Sequence, residues 1–131
     1  MSKQAIGGGV TGPGGTRLPF PKAVRAGDFV FVSGQMAIGA DGQLVEGGIE
    51  VQARQVMDNI QAILAKAGCS MDDVVKCNVF LTDISHFREM NEIYRTYFKE
   101  GNYPARTTVE AKFVAPPMKV EIDCIAYKPK A

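Results

Sequence analysis

Apolar and polar positions along the chain follow two rhythms. From Phe29 to Ser33 the residues Phe-Val-Phe-Val-Ser are aromatic or β-branched on both faces, which predicts a buried strand. Ile49, Ala53, Val56, Ile60, Ile63, Leu64 and Ala67 then recur at helical spacing, while Gln52, Arg54, Gln55, Asp58 and Gln61 face away. This predicts an amphipathic helix, stopped by Gly68. Alternation returns in Val75, Cys77, Val79 and Leu81, set against Lys76, Asn78 and Thr82, and predicts a strand. Ser85 reads as the N-cap of a second amphipathic helix carrying Phe87, Met90, Ile93, Tyr94, Tyr97 and Phe98. Pro104-Ala105 opens a strand from Arg106 to Lys112, and Pro116-Pro117 separates it from the last one. There Met118, Val120, Ile122, Cys124 and Ala126 hold one face, opposite Lys119, Glu121, Asp123, Ile125 and Tyr127.

Turn residues punctuate these elements. Leu18-Pro19-Phe20-Pro21 is an extended, Pro-bounded segment, Ala26-Gly27-Asp28 a turn, Asp41-Gly42 a hairpin signal, and Gly47-Gly48 a break before the helix. The order β-β-α-β-α-β-β, without internal repeat, predicts an α+β domain: one sheet with two helices on a single face. Residues 1–17 read as a flexible Gly-rich lead-in and 18–131 as the single domain. Gly7-x-Gly9-x-x-Gly12 matches a dinucleotide fingerprint in letters only. No strand is predicted before it, and Pro13, Gly14 and Gly15 follow where a helix should open. Phe29/Phe31 and Val30/Val32 need cover on opposite faces, so the face away from the helices calls for a second subunit.

Composition narrows the function classes. A chain of 131 residues with 15 Lys plus Arg against 14 Asp plus Glu has a net charge of +1, so no global attraction to nucleic acid exists. No apolar run reaches the length of a membrane span, and Met1-Ser2-Lys3-Gln4-Ala5-Ile6 leads into glycines instead of a signal-peptide core. Cys69, Cys77 and Cys124 form no CxxC pair and His86 is the lone histidine, which excludes a finger-like zinc site. Reduced thiols and a cytoplasmic location are the expectation.

Among candidate groups, Arg106 starts a strand directly after a rigid Pro-Ala step, where its planar donor fork suits a carboxylate. Its bland alternative is an ion pair with Glu110 on the same strand face. Glu121 and Asp123 share a face about 7 Å apart. If that face is occluded, one carboxyl is pushed up, as suits a residue handling a water proton. A solvated face complemented by Lys119 is the alternative. In Ser33-Gly34-Gln35, Ser33 offers a hydroxyl and Gly34 permits close backbone approach, or the three form a plain strand-ending turn. Cys77 and Cys124 read as core residues, Cys69 as an exposed one, and His86 as a helix-start surface residue.

At these residues the chain resembles the reactive intermediate deaminase family (RidA/YjgF, also called L-PSP endoribonucleases). The resemblance runs from about Leu18 to Tyr127. It rests on Pro19-Phe20-Pro21-Lys22-Ala23-Val24, Val32-Ser33-Gly34-Gln35, Gln52-Ala53-Arg54-Gln55 through Asp58-Asn59, Val79-Phe80-Leu81-Thr82-Asp83, Pro104-Ala105-Arg106-Thr107-Thr108-Val109 and Val120-Glu121-Ile122. It implies a chorismate-mutase-like α+β fold with a single mixed β-sheet, assembled as a homotrimer with a cleft at each subunit interface. It also implies hydrolysis of 2-imino or enamine acids to 2-keto acids and ammonia, without metal or organic cofactor. Arg106 would grip the substrate carboxylate and Glu121 orient or deprotonate the water. Ser33, Gly34, Asn91 and Thr108 would line the cleft. Phe20 stands where many members carry tyrosine, so a hydroxyl is absent from a mostly apolar wall, and Thr108 stands where many carry cysteine. Two other functions compete: a non-catalytic module binding a keto acid or similar carboxylate, and a ribonuclease, which a single histidine serves poorly.

Overall fold

Strict alternation places the last strand at the centre of the molecule. In the computed structural model, which describes residues 3–12 and 15–129, Val120, Ile122, Cys124 and Ala126 are each 2% exposed or less, while the residues between them are half-buried. The segment Val120–Tyr127 is therefore a central strand, with neighbours on both edges. In chain order the elements are β1 (Gln4–Thr11), β2 (Arg17–Ala26), β3 (Phe29–Gln35), α1 (Ile49–Lys66), β4 (Val74–Leu81), α2 (Phe87–Arg95), β5 (Ala105–Glu110) and β6 (Val120–Tyr127). They form one mixed sheet in the order β1-β2-β3-β6-β4-β5, antiparallel throughout except for the parallel pair β4–β5.

The expected α+β architecture holds, with corrections at its margins. Residues read as a lead-in contain an edge strand: Gln4–Thr11 pairs with β2, and positive φ at Gly7 and Gly8 accommodates a register shift there. Met1, Ser2, Pro13, Gly14, Lys130 and Ala131 fall outside the described residues. The N-terminal cap of the second helical segment is Asp83, whose Oδ1 accepts from the Ser85 amide at 2.9 Å, and not Ser85 itself. A 3-10 turn at Ile84–His86 intervenes before α2, which ends at Arg95, short of Tyr97 and Phe98. Cys69 is buried, because the Gly68 turn (φ 78°) folds its amide back onto the Leu64 carbonyl at 2.9 Å.

Gln52, expected to face water, is completely buried. Its Nε2 donates to the carbonyls of Val45 (3.2 Å) and Pro117 (3.1 Å), and its Oε1 accepts from the Lys119 amide at 2.7 Å. About two turns further on, Asn59 Nδ2 donates to the carbonyls of Met36 and Ile38. Both amides of the Gln52–Asn59 motif thus tie α1 to loops at the ends of β3 and β6, satisfying carbonyls no strand reaches.

Both helices lie on one face, over Val30, Val32, Val79, Leu81 and Ile122. The other face carries no helix among the described residues. Phe29 and Phe31 remain 41% and 43% exposed, and Phe29 packs only sideways, against Phe31 and Tyr127 at centroid distances of 6.3 and 5.1 Å.

Candidate active site

Register determines on which side of the sheet each candidate stands. Arg106 pairs with Cys77 across β4–β5, and Cys77 is buried beneath the helices, so Arg106 points to the helix side. Thr108, paired with buried Val79, follows it on that side. Helix α2 meets them with Phe87, Asn91 and Tyr94, one stripe at i, i+4 and i+7. The Arg106 guanidinium carbon lies 4.8 Å from the Tyr94 ring centroid and 5.4 Å from that of Phe87. Asn91, Tyr94, Arg95, Tyr103, Pro104 and Arg106 enclose a cleft of about 270 Å³.

Polar capacity in this cleft is unspent. Arg106 makes no hydrogen bond or ion pair among the described residues. Glu110, its supposed partner, instead accepts from the Ile84 amide at 3.2 Å. Asn91 Oδ1 and the Tyr94 hydroxyl are buried without partners. Burial, and the neighbouring Cys77, raise the Tyr94 hydroxyl well above the ordinary phenol range, and burial pushes the Cys77 thiol up to about 11. Neither group ionises near neutrality. The cleft therefore carries the guanidinium of Arg106, that of Arg95 at its side (3.7 Å from Glu92), and neutral polar groups, a setting for a small anion.

Glu121 stands on the opposite face. It pairs with Phe80 and alternates with buried Val120 and Ile122, beside Asp123 on the same side. Asp123 accepts from Asn78 Nδ2 at 2.9 Å, whereas Lys119 makes no ion pair there among the described residues. Burial first, and the Asp123 charge second, raise the Glu121 carboxyl above its ordinary 4.5, the direction expected for an occluded pair. Ser33 continues the exposed Phe29/Phe31 face of β3, and its hydroxyl donates to the Pro21 carbonyl at 2.8 Å. Gly34 lies directly under Glu121: a Cβ there would come within 2.9 Å of the carboxyl carbon. Phe20 projects from β2 on this face too, opposite to buried Ala23 and Arg25, and is 43% exposed.

The seven candidates thus fall into two groups. Arg106, Thr108 and Asn91 meet at the β5 edge under α2; Glu121, Ser33, Gly34 and Phe20 occupy the open face. Strand β4 separates β5 from β6, so Arg106 and Glu121 are two strand spacings apart, roughly 9.5 Å, and a further 10 Å or so along the strands. Their side chains also leave opposite faces. One small ligand cannot touch both in one chain. Phe87 and Tyr94 are walls that sequence reasoning assigned simply to an apolar helix face; the signal was their seven-residue spacing around Asn91.

The chain is similar to known proteins over most of its length. Residues 15–128 match the family model described as Endoribonuclease L-PSP. A RutC family protein of Pyrococcus horikoshii is 45% identical over 111 residues, 84% of this chain and 87% of the relative. The mouse protein named 2-iminobutanoate/2-iminopropanoate deaminase is 39% identical over 111 residues, 84% of this chain and 82% of the relative. The crystal structure of E. coli TdcF with bound serine superposes with a TM-score of 0.82 at 31% identity, covering 95% of this chain and 98% of that one. No helix among the described residues is long and apolar enough to cross a membrane. Matched over most of its length by the family model and by relatives of this similarity, the chain belongs to the RidA/YjgF family.

Proposed function

We propose that this protein hydrolyses 2-imino acids of the 2-iminobutanoate/2-iminopropanoate type, and their enamine tautomers, to 2-keto acids and ammonia. Its sites are built between copies of the chain in a homotrimer. The observation that carries this reading is the unspent donor fork of Arg106 in a small cleft lined by no carboxylate among the described residues. A guanidinium with no internal carboxylate is matched to an external one, held edge-on by two parallel N–H···O bonds. The mouse relative's name and the serine bound to TdcF both point to α-carboxylate ligands.

The chemistry requires little more. With the carboxylate anchored, the C=N carbon of a protonated imine is already electrophilic, and placing a water about 3 Å away supplies most of the acceleration. Glu121 from a neighbouring copy takes a proton from that water as its oxygen bonds to carbon, and the C=N electron pair moves to nitrogen. The nitrogen of the resulting carbinolamine is protonated, the hydroxyl loses its proton, and the C–N bond breaks to release ammonia and leave the keto acid. A carboxylate whose proton affinity is raised by burial and by Asp123 is a better base than a solvated one.

A non-catalytic carboxylate-binding module rests on the same arginine, but leaves Glu121 dispensable. An imino acid generated by an amino-acid oxidase, followed with and without the protein, separates the two. Arg106→Ala should abolish acceleration and keto-acid binding with assembly intact, a loss of about 2–5 kcal/mol. Glu121→Gln should abolish acceleration and keep keto-acid binding. Wild-type protein that binds pyruvate and does not hasten hydrolysis would favour the module.

A further inference from the structure

We infer that Phe87 and Tyr94 are positioning residues which clamp the Arg106 guanidinium between two aromatic rings, so that only its in-plane N–H edge is offered to a ligand. This inference rests on the reading of Arg106 as the carboxylate anchor.

The geometry follows from helix periodicity. Positions seven apart on a helix share a face and are separated by about 10.5 Å along the axis. The guanidinium carbon lies 5.4 Å from the Phe87 centroid and 4.8 Å from the Tyr94 centroid. Both rings, two turns apart on the helix, therefore lie within cation–π reach of the one guanidinium. Asn91, midway on the same stripe, lies alongside. A guanidinium held by its two π faces keeps its in-plane donors free, and Arg106 donates to nothing among the described residues.

Such a clamp solves a problem specific to this site. Arg106 extends from an edge strand, and a long side chain there would otherwise sample many rotamers or fold onto Glu110, four residues on along its own face. Ion pairing would spend the donors the ligand needs. Stacking fixes the head without spending them, and does so only for a planar cation: a lysine ammonium keeps the charge and loses the fork. The two rings differ in what else they do. Tyr94 is buried and contributes to the core, whereas Phe87 is 41% exposed, so Phe87 can be changed without emptying the interior.

The test uses the whole protein and two readouts. In Phe87→Leu, pyruvate affinity and the KM for imino acid should weaken about three- to fivefold, the range of an exposed cation–π contact, with kcat within twofold. Tyr94→Phe should leave the chemical shift of the Arg106 side-chain Nε–H proton as in wild type, since the ring and not the hydroxyl makes the contact. In an Arg106→Lys background, Phe87→Leu should change pyruvate affinity less than twofold. Equal losses in both backgrounds would overturn the clamp, because a merely structural role of Phe87 does not depend on guanidinium geometry. The second readout needs no activity: the Arg106 Nε–H proton should be shifted upfield by ring current in ligand-free protein, and move downfield in Phe87→Leu. An unshifted resonance, unchanged by the substitution, refutes the clamp even if the protein proves an efficient deaminase. A shifted one sustains it even if no imine is hydrolysed.

Discussion

If each site takes Arg106 from one copy and Glu121 from the next, two inactive variants should restore each other. Arg106→Ala keeps an intact Glu121, and Glu121→Gln keeps an intact Arg106. The two side chains leave opposite faces of the sheet with β4 between them, so no rearrangement short of unfolding brings them together in one chain. In a closed ring built from an equal mixture, an arginine-bearing position is occupied by the Glu121→Gln chain half the time. The facing position is independently occupied by the Arg106→Ala chain half the time. About one quarter of the sites in the whole mixture are then whole, and about one third of those in mixed trimers, each of which holds one whole site, provided every interface joins the same two surfaces head to tail. Were each site confined to one chain, every site would carry a lesion and the mixture would stay at the parental background. The assay is co-expression of the two variants with different tags, isolation of mixed assemblies through both, and imine hydrolysis per chain. Doubly tagged assemblies that stay at the parental background would refute the divided site, and with it the role given to the uncovered face.

Three further outcomes follow from individual contacts. Gly34→Ala is permitted by its backbone but drives a methyl into the Glu121 carboxyl; kcat should drop up to about a hundredfold, as for a catalytic group misplaced by 1 Å, while pyruvate affinity and assembly stay unchanged. The carboxyl of Glu121 is raised above 4.5 by burial and then by Asp123, so kcat should fall as pH drops through the raised value, and Asp123→Asn should move that limb downward. The folded chain then binds a proton more tightly than the unfolded chain, so stability declines as pH rises from about 4.5 through the raised value; Glu121→Gln should melt higher than wild type at pH 7 and lose that advantage below pH 4.5. Gln52→Leu should lower stability by about 2–4 kcal/mol, seen as a lower urea midpoint, because it strands the Val45 and Pro117 carbonyls and the Lys119 amide.

Much of the fold was legible because local pattern and global packing agree. The alternation of β6 and the heptad-like stripe of α1 each bury what they promised, and Gly68 ends its helix turn with positive φ. Misreadings share a cause: they concern residues whose partner is distant in sequence. Gln52 looks like a surface amide until Pro117 and Lys119, more than sixty residues on, come to meet it. The glycines of β1 read as a tether because strand propensity is low there; pairing with β2 overrides it. Ser85 carries the residue type of a cap, but the oxygen two residues earlier, on Asp83, reaches the amide first.

The candidate residues were legible as chemistry, and their separation was not. Parity along a strand tells which residues share a face within it: Arg106 with Thr108 and Glu110, Glu121 with Asp123. It does not relate the faces of two strands, which depends on register, and register between β4, β5 and β6 is decided by a crossover helix and by the shift at Val74/Lys76. Sliding β5 by one residue would turn Arg106 to the open face, towards the side on which Glu121 stands. The observed register instead puts Cys77 beside Arg106 and lets α2 supply Phe87 and Tyr94. The same register leaves Glu121 among exposed aromatic residues that a single chain cannot cover. An anchoring cation gains from a rigid aromatic wall of its own chain, whereas a base that must be desolvated gains from a face that closes only on assembly. On the proposed reading, placing them on opposite sides of one sheet couples the completion of the site to the burial of Phe29, Phe31 and Tyr127. An isolated subunit would then retain the anchor and lack the base.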